Sequence, residues 1–449
     1  MTVGLVLLVT LIAFEALAVN TALPDAADEL GGLGLYGWVF AAFTLAIVAS
    51  IAVSGRLIDE RGMQPVLAVG AAMFCLGLVM GAAAPSMQVL VGARVVQGLG
   101  AGAISSVANV AIGRAYPPRL RASMLAVMSS AWVVPGLVGP GVSAVITTTL
   151  GWRWVFAGLV PVVAVAALMT LPALRPYGAL DTVAKGHRTA DPLRVAGGFA
   201  FVVGGLSNAH DIWPLAFVAF GLAVAAAPLR RLSPPATFRF RRGPAAAVAL
   251  NGLVSCAFFG VDAFIPLAVT DVRHRAVGFA GLALTAGAIS WTTGAWVTAR
   301  INERVSAGQR VRLGFLLVAI GIGMVVIGLN ENVPIVIFPA AWLVAGLGMG
   351  LGYQAIALVV LGGGAGDDEH GPPAATVAAR QMFDTLGMAI GTGVAGACVA
   401  IATAGDHSTE SGLAVAFLAM IGVAMVGFAF GGQAEVVPET ADAPPAVLP

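Results

Sequence analysis

Long apolar stretches alternate with short polar segments along almost the whole chain. The stretches are about 17–28 residues long, and a helix of that length crosses a hydrocarbon core of about 30 Å. We therefore predict fourteen membrane-spanning helices, of which 193–208 is short and rich in glycine. The predicted spans are about 3–23, 36–54, 66–84, 87–113, 122–147, 153–172, 193–208, 212–229, 244–269, 277–299, 312–329, 334–361, 373–402 and 411–431.

The composition supports the same class of protein. Of the 449 residues, 59% are hydrophobic and 10% are charged, whereas about 25% of the residues in a soluble domain are charged. The predicted fold class is therefore an all-α polytopic membrane protein in the lipid bilayer. The net charge of +1 says nothing about partners, and the five histidines and three cysteines lack metal-ligand spacing. We expect no nucleic-acid partner. We expect neither a metal nor a cofactor.

Basic residues are concentrated in alternate loops. If the N-terminus is cytoplasmic, the loops on that side hold 18 of the 23 basic residues. The opposite loops hold Arg153, Arg273 and Arg275, and the spans hold Arg94 and Arg380. The positive-inside rule therefore predicts a multi-pass protein of the cell membrane with both termini in the cytoplasm.

Two basic segments flank the seventh and eighth spans. Segments 173–195 and 229–243 are both strongly basic, so both are predicted to be cytoplasmic. An even number of crossings must then separate them. Two spans satisfy this condition, and so does one hairpin that enters the membrane without crossing it.

The loops that follow the second span of the first six and of the last six spans are alike. GRLIDERGMQPVLAVG at 55–70 and GAWVTARINERVSAGQRVRLG at 294–314 both begin with glycine, carry an acid and arginines, and lead into an apolar run. This repetition indicates a duplicated bundle. The predicted domains are an N-terminal six-helix bundle at 1–172, cytoplasmic linkers with two extra transmembrane helices at 173–243, a C-terminal six-helix bundle at 244–432 and a disordered cytoplasmic tail at 433–449.

Four motifs occur in order along the first half of the chain. The first places an acid nine residues before a proline, and the second is a polar loop rich in glycine and charge. The third is an R-x-x-Q-G pattern in the fourth span, and the fourth is a glycine–proline run in the fifth span. They read EALAVNTALP from Glu15 to Pro24, GRLIDERGMQ from Gly55, RVVQG from Arg94 with Gln97 and Gly98, and PGLVGPGVSA around Gly139 and Pro140.

With these motifs the chain resembles the major facilitator superfamily, specifically its 14-span drug:proton antiporters. The resemblance covers residues 1 to about 432 and implies two pseudo-symmetric six-helix bundles plus two extra transmembrane helices. It implies a monomeric secondary active transporter, not an enzyme, that exports lipophilic or amphipathic drug-like small molecules in exchange for protons by alternating access. The alternatives are a lipid exporter or a proton-driven importer of the same fold.

The resemblance also assigns roles to motif residues. In the loop, arginines of the family pattern are replaced here by Glu60, Met63 and Gln64. For the fifth span, a hinge or leak seal at the proline is the functional interpretation, and close helix packing is the structural one. The implied gating loop is Gly55, Asp59, Arg61 and Gly62, and the implied antiporter motif is Gly139 and Pro140.

Ionisable residues are rare in the spans, where such groups usually pair or relay protons. Glu15 and Arg94 each lie roughly 12 Å from the outer surface at 1.5 Å per residue, so the two side chains can pair. Gln97 shares the helix face of Arg94. The pair is predicted to couple transport to protons, and the alternative is a fixed structural ion pair.

The second half offers two further carboxylates. Asp262 precedes Pro266, which lacks the N–H for a helix hydrogen bond, and it is either a proton-coupling residue or a snorkelling or locally capped acid nearer the outer surface. Asp384 is either a proton-coupling residue or is neutralised by Arg380, one helical turn earlier. The spans could also line an apolar cavity, and the alternative role for its lining residues is core packing. The candidates for lining the cavity are Gln97, Trp132, Phe259 and Trp291.

Overall fold

The computed structural model describes residues 1–115, 124, 128, 131, 133–179, 190–207, 213–301, 304–362, 374–405 and 408–435. These residues form helices joined by turns, and no strand occurs among them. The predicted all-α class is confirmed. Most of the predicted tail at 433–449 lies outside the described residues.

The first set of helices follows the first six predicted spans. Glycines with positive φ separate consecutive helices where other residues would be strained: Gly62 (φ 89°) lies between the second and third, and Gly151 (φ 95°) follows the fifth. A short helix at Arg153–Ala157 precedes the sixth. The set comprises α1 (Thr2–Leu30), α2 (Tyr36–Arg61), α3 (Met63–Ala82), α4 (Met87–Ala115), α5 (Val133–Leu150) and α6 (Leu159–Leu174).

Local sequence signals also fix the boundaries of the later helices. Pro244 occupies the first turn of α9, where its missing N–H has no partner to lose. Ser306 and Gln309 form a capping box at the start of α11. The later helices are α7 (Ala190–Ser207), α8 (Trp213–Leu232), α9 (Pro244–Asp262), α10 (Val277–Ile301), α11 (Ala307–Gly328), α12 (Ile337–Gly362), α13 (Ala374–Ala404) and α14 (Thr409–Phe430).

Eleven helices among the described residues are long and apolar enough to cross a membrane, which makes this a multi-pass membrane protein. The predicted spans at 122–147, 193–208 and 277–299 fall on α5, α7 and α10, which are outside this set. In α5 only the shorter helical stretch Val138–Leu150 is apolar, and the start of that predicted span lies largely outside the described residues. The count of fourteen spans stays a prediction.

Six helix contacts within α1–α6 have counterparts within α9–α14. In the first set, α4 packs against α1, α2 and α3, α6 packs against α1 and α3, and α5 packs against α1. In the later set, α12 packs against α9, α10 and α11, α14 packs against α9 and α11, and α13 packs against α9. These six contacts therefore repeat between the two sets, although α13 also packs against α14.

Glycine permits the closest of these helix contacts. A Cβ added at Gly100 of α4 would lie 2.4 Å from the backbone N of Phe74 in α3. A Cβ added at Gly350 of α12 would lie 2.3 Å from the carbonyl O of Trp291 in α10. Small residues at such contacts let membrane helices approach closely, which explains the glycine-rich runs of the fourth and twelfth predicted spans.

The two sets of helices meet at one end of the molecule. They touch through α2 with α13 and through α5 with α10. A Cβ added at Gly37 would lie 2.6 Å from the Cα of Gly396, and the hydroxyl of Tyr36 donates to the carbonyl O of Ala263 at 3.4 Å. These residues lie where α1 ends and α2 begins, so the space between the two sets is closed at that end.

The remaining helices, α7 and α8, pack against each other and along the side of this junction. A Cβ added at Gly198 of α7 would lie 2.6 Å from the carbonyl O of Gly221 in α8. Helix α7 also contacts α2 of the first set and α13 of the later set. A separate apolar cluster joins them: Leu45, Val195, Phe199, Val202, Ala225, Leu386 and Ala389.

Candidate functional site

The first polar cluster joins α1 to α4. Arg94 forms an ion pair with Glu15, donating from Nη1 to Oε1. The same nitrogen donates to Oε1 of Gln97 at 3.1 Å, and Nε2 of Gln97 donates to Oε1 of Glu15 at 3.2 Å. All three side chains are buried. The structure therefore brings Glu15 and Arg94 together, as their equal depth allowed, and Gln97 joins them from the same helix face as Arg94.

Helix α2 holds the guanidinium from its other side. Nε of Arg94 donates to the carbonyl O of Val39 at 3.1 Å, and the guanidinium carbon lies 4.0 Å from the ring centroid of Phe43. Glu15 uses only Oε1 in the cluster, and its Oε2 is buried without a hydrogen-bond partner among the described residues. The cation is thus held by several groups, while one carboxylate oxygen of Glu15 accepts no hydrogen bond from the described residues.

The second cluster connects the two sets of helices. Asp262, at the end of α9, accepts at Oδ2 from Nδ2 of Asn20 in α1 at 3.0 Å and at Oδ1 from Nε1 of Trp342 in α12 at 2.8 Å. The residue Asp262 is 6% exposed. Both donors are neutral, so hydrogen bonds alone compensate this buried group.

The third cluster lies within the later set, on α9, α12 and α13. Asp384 accepts at Oδ1 from Nδ2 of Asn251 at 3.0 Å and from the hydroxyl of Ser255, and at Oδ2 from the hydroxyl of Tyr353 at 3.0 Å. Arg380 donates from Nη1 to Oδ1 of Asn251 at 3.0 Å. The acid and the base on α13 are therefore bridged by neutral side chains and do not form an ion pair with each other.

Aromatic rings connect the second and third clusters. Phe258 packs against Trp342 with ring centroids 5.0 Å apart and against Trp291 at 5.6 Å. Trp291 in turn contacts Tyr353 at 5.5 Å. Phe259, which lies 6.1 Å from Trp291, is half-buried at the same face. Trp132, the other aromatic candidate for the cavity, lies outside the described residues.

The gating-loop motif lies at the junction of α2 and α3. Asp59 pairs with Arg114 at the end of α4, whereas Arg61 is exposed and has no ion-pair partner among the described residues. A Cβ added at Gly62 would lie 2.9 Å from the backbone of Gly178, and one added at Gly55 would meet open space. The loop aspartate thus has an arginine partner, although it comes from another helix.

The antiporter motif lies at the contact between α5 and α10. The carbonyl O of Pro140 would lie 3.1 Å from a Cβ added at Gly281 of α10, and a Cβ added at Gly139 would face Phe14 at 3.7 Å. Ser143 donates to the carbonyl O of Ala18 at 2.7 Å. This part of α5 therefore touches both α1 and the later set of helices.

Several polar residues of these clusters were not among the sequence candidates. Each is an amide, hydroxyl, indole or basic group without an unusual local pattern, and only its position inside an apolar span or at a span end marks it. A search for hydrogen-bonding side chains within the spans would have found most of them. They are Asn20, Arg114, Asn251, Ser255, Trp342 and Tyr353.

The sequence has clear relatives among known proteins. The profile described as Major Facilitator Superfamily matches residues 5–392. A probable multidrug-efflux transporter of Mycobacterium tuberculosis is 27% identical over 426 residues, which cover 89% of this chain and 88% of that protein. The multidrug efflux pump SdrM of Staphylococcus aureus is 22% identical, with coverage of 80% and 81%.

Solved structures share the fold at low sequence identity. The nucleoside transporter NupG superposes with a TM-score of 0.65 at 14% identity, covering 96% of this chain and 99% of that chain. A bacterial homologue of the human lysosomal transporter Spinster, in an inward-facing and unoccupied conformation, superposes with a TM-score of 0.64 at 13% identity, covering 97% and 98%.

Proposed function

The chain belongs to the Major Facilitator Superfamily, and on that premise we propose that it exports lipophilic or amphipathic small molecules in exchange for protons. It is a multi-pass membrane transporter and not an enzyme. The proposal of efflux is supported by relatives named as multidrug-efflux proteins in Mycobacterium tuberculosis and Staphylococcus aureus. The proposal of proton coupling is supported by the polar cluster of α1 and α4.

The observation that carries the proposal is that Oε2 of Glu15 accepts no hydrogen bond from the described residues. A carboxylate within a membrane span is costly, and such residues usually mark ion or proton pathways. Oε1 is held by Arg94 and Gln97, while Oε2 is buried and has no partner among the described residues. This oxygen is a position at which a proton can bind without displacing an existing hydrogen bond.

Proton binding at Glu15 would change the contacts that hold the cluster together. The neutral carboxyl group would attract Arg94 less strongly, while the guanidinium would keep its contacts with Val39 and Phe43. A proton shifts a conformational equilibrium only if the two conformations bind it with different affinity. We propose that access of Glu15 to opposite sides of the membrane supplies that difference, with Asp262 and Asp384 as further proton-coupling residues.

We further propose that the helices form two six-helix bundles with an added pair, giving fourteen spans. The repeated neighbour pattern of α1–α6 and α9–α14 supports two related bundles, and the pairing of α7 with α8 beside their junction supports an added hairpin. The excess of arginine in alternate loops supports cytoplasmic termini in the cell membrane. We propose that one copy of the chain is sufficient for transport.

The proposal is tested with the purified full chain in liposomes that carry a pH gradient. Dyes, antibiotics and labelled lipids are screened for movement, and a trapped pH indicator follows protons. We expect substrate to move against its gradient while protons move in the opposite direction, and an ionophore that dissipates the pH gradient should stop both. Co-directional movement would support a proton-driven importer, and movement of lipid alone would support a lipid exporter.

A further inference from the structure

The third polar cluster contains a guanidinium that interacts electrostatically with Asp384 but forms no direct ion pair with it. Arg380 donates to Oδ1 of Asn251 at 3.0 Å and also contacts the side chain of Tyr353, with its guanidinium carbon 5.3 Å from the ring centroid. Within the part of the chain that the structure describes, no carboxylate forms an ion pair with it. A guanidinium has five N–H donors, and this side chain is only half-buried, so donors remain for a ligand.

Asp384 does not form an ion pair with Arg380, although it lies one turn away on α13. Asn251, Ser255 and Tyr353 already donate to its two oxygens. The amide of Asn251 stands between the two charges, accepting from Arg380 and donating to Asp384. The hydrogen bonds to the anion thus come from neutral donors, while no carboxylate among the described residues forms a direct ion pair with the cation.

Aromatic rings lie beside the guanidinium. Tyr353, on which it packs, contacts Trp291 with ring centroids 5.5 Å apart, and Trp291 contacts Phe259 at 6.1 Å. All three rings are half-buried, so each keeps part of its surface open. A charged donor and open aromatic surface therefore occur side by side on one face of the later set of helices.

We infer that Arg380 binds the anionic group of a transported aromatic organic anion, whose ring packs against Trp291 and Tyr353. Arginine recognises carboxylates and related oxyanions through paired N–H donors, and aromatic pairs add attraction beyond the area they bury. Arg380 lies near the start of α13, far along the helix from the closed contact at Gly396. This inference rests on the proposed function, because it names a chemical class for the substrate.

The test compares two probes that share one ring system and carry permanent opposite charges: 2-naphthalenesulfonate and N,N,N-trimethyl-2-naphthylammonium. The purified full chain in lipid nanodiscs is titrated calorimetrically with each probe, and empty nanodiscs correct for partition into lipid. We expect the sulfonate to bind more tightly than the cation. Equal binding of the two probes, or a preference for the cation, would overturn the inference without any variant.

Variants then assign the preference to one side chain. Arg380→Gln should weaken sulfonate binding about tenfold or more, since a charge-assisted hydrogen bond is lost, and should leave binding of the cation within about twofold. Arg380→Lys keeps the charge without the planar fork, so it should give an intermediate value. The matched control is Arg300→Gln, at an exposed position in the last turn of α10, which should change neither affinity.

A purely structural role for Arg380 predicts a different result. If the guanidinium only positions Asn251 and Asp384, Arg380→Gln should weaken both probes to the same extent, and that outcome would overturn the inference. Unchanged sulfonate binding in folded Arg380→Gln would do so as well. Gradient-driven export without a preference for the sulfonate would leave the proposed function standing and overturn the inference. Selective sulfonate binding without any transport would keep Arg380 as an anion-binding residue but contradict the proposed function, and with it the claim that the bound anion is transported.

Discussion

Glu15, Asp262 and Asp384 lie in similar apolar helices but have different partners. Glu15 has a cation, Arg94, and an open oxygen, whereas Asp262 and Asp384 have only neutral donors. A buried charge is costly unless it is paired and hydrogen-bonded, so the three carboxylates are compensated in different ways. The charge of Glu15 is compensated by Arg94, and its Oε2 has no hydrogen-bond partner among the described residues. For that reason we propose Glu15 as the main proton-coupling residue.

At the residue scale we predict that Glu15→Gln abolishes gradient-driven export. The amide keeps an oxygen that can accept from Arg94 and Gln97, so folding and equilibrium binding of substrate should be largely preserved, but it has no carboxyl group to protonate. Transport into or out of liposomes with an imposed pH gradient is the measurement. Glu29→Gln is the control, because Glu29 lies on the same helix in an exposed pair with Arg153. Full gradient-driven transport by Glu15→Gln would refute the role.

At the scale of helices, the contact between α2 and α13 depends on two glycines. A Cβ at Gly37 would lie 2.6 Å from Gly396 Cα and 2.7 Å from the carbonyl O of Thr392. All of these atoms belong to backbone, which cannot rotate away as a side chain can. Because overpacking a close contact typically costs about 1–3 kcal/mol, one methyl group should be enough to separate the helices at this end.

We therefore predict that Gly37→Ala shifts the molecule towards a state in which this end is open. The distance between spin labels at Asp28, which is exposed at the end of α1, and Gly405 should increase, measured by electron paramagnetic resonance in a protein without native cysteines. Gly34→Ala is the matched control, because its Cβ would make only an ordinary contact, 3.6 Å from the Cβ of Ala400. An unchanged distance distribution in Gly37→Ala would show that the glycine contact does not control closure.

At the scale of the whole molecule, two related sets of helices meet at one end and a helix pair lies beside their junction. Helix α7 touches α2 and α13, which belong to different sets, so it spans the boundary across which the sets would move. The order of helices and the repeated neighbour pattern are consistent with a duplicated chain. Whether α7 and α8 cross the membrane determines on which side the segment between them lies.

We predict that segment 208–212 lies outside the cytoplasm, because basic segments flank the helix pair on both sides. Alkaline phosphatase fused within 208–212 should be active, as should a fusion after Gly151, whereas a fusion after Gly178 should be inactive. Fluorescent-protein fusions at the same positions should give the complementary result. An inactive phosphatase at 208–212 beside an active one at Gly151 would indicate a hairpin that enters the membrane without crossing it.

The sequence by itself determined the helical membrane class and the order of the helices, and it placed Glu15 and Arg94 at equal depth so that they could pair. These follow from local hydropathy and from depth along a helix of fixed rise, and both can be counted along the chain. Only the tertiary structure decided that Asn20 bonds Asp262, that Arg114 pairs with Asp59, and that Asn251 separates Arg380 from Asp384.

The physical reason is that a span's hydropathy says how deep a residue lies but not which way its side chain points. Asn20 and Asp262 are separated by 242 positions, and their contact requires α1 and α9 to be neighbours with these two faces turned towards each other. Helix rotation and neighbour choice depend on close packing of small residues, such as Gly37 against Gly396. That complementarity arises between distant segments, so it is settled only when the whole bundle is assembled.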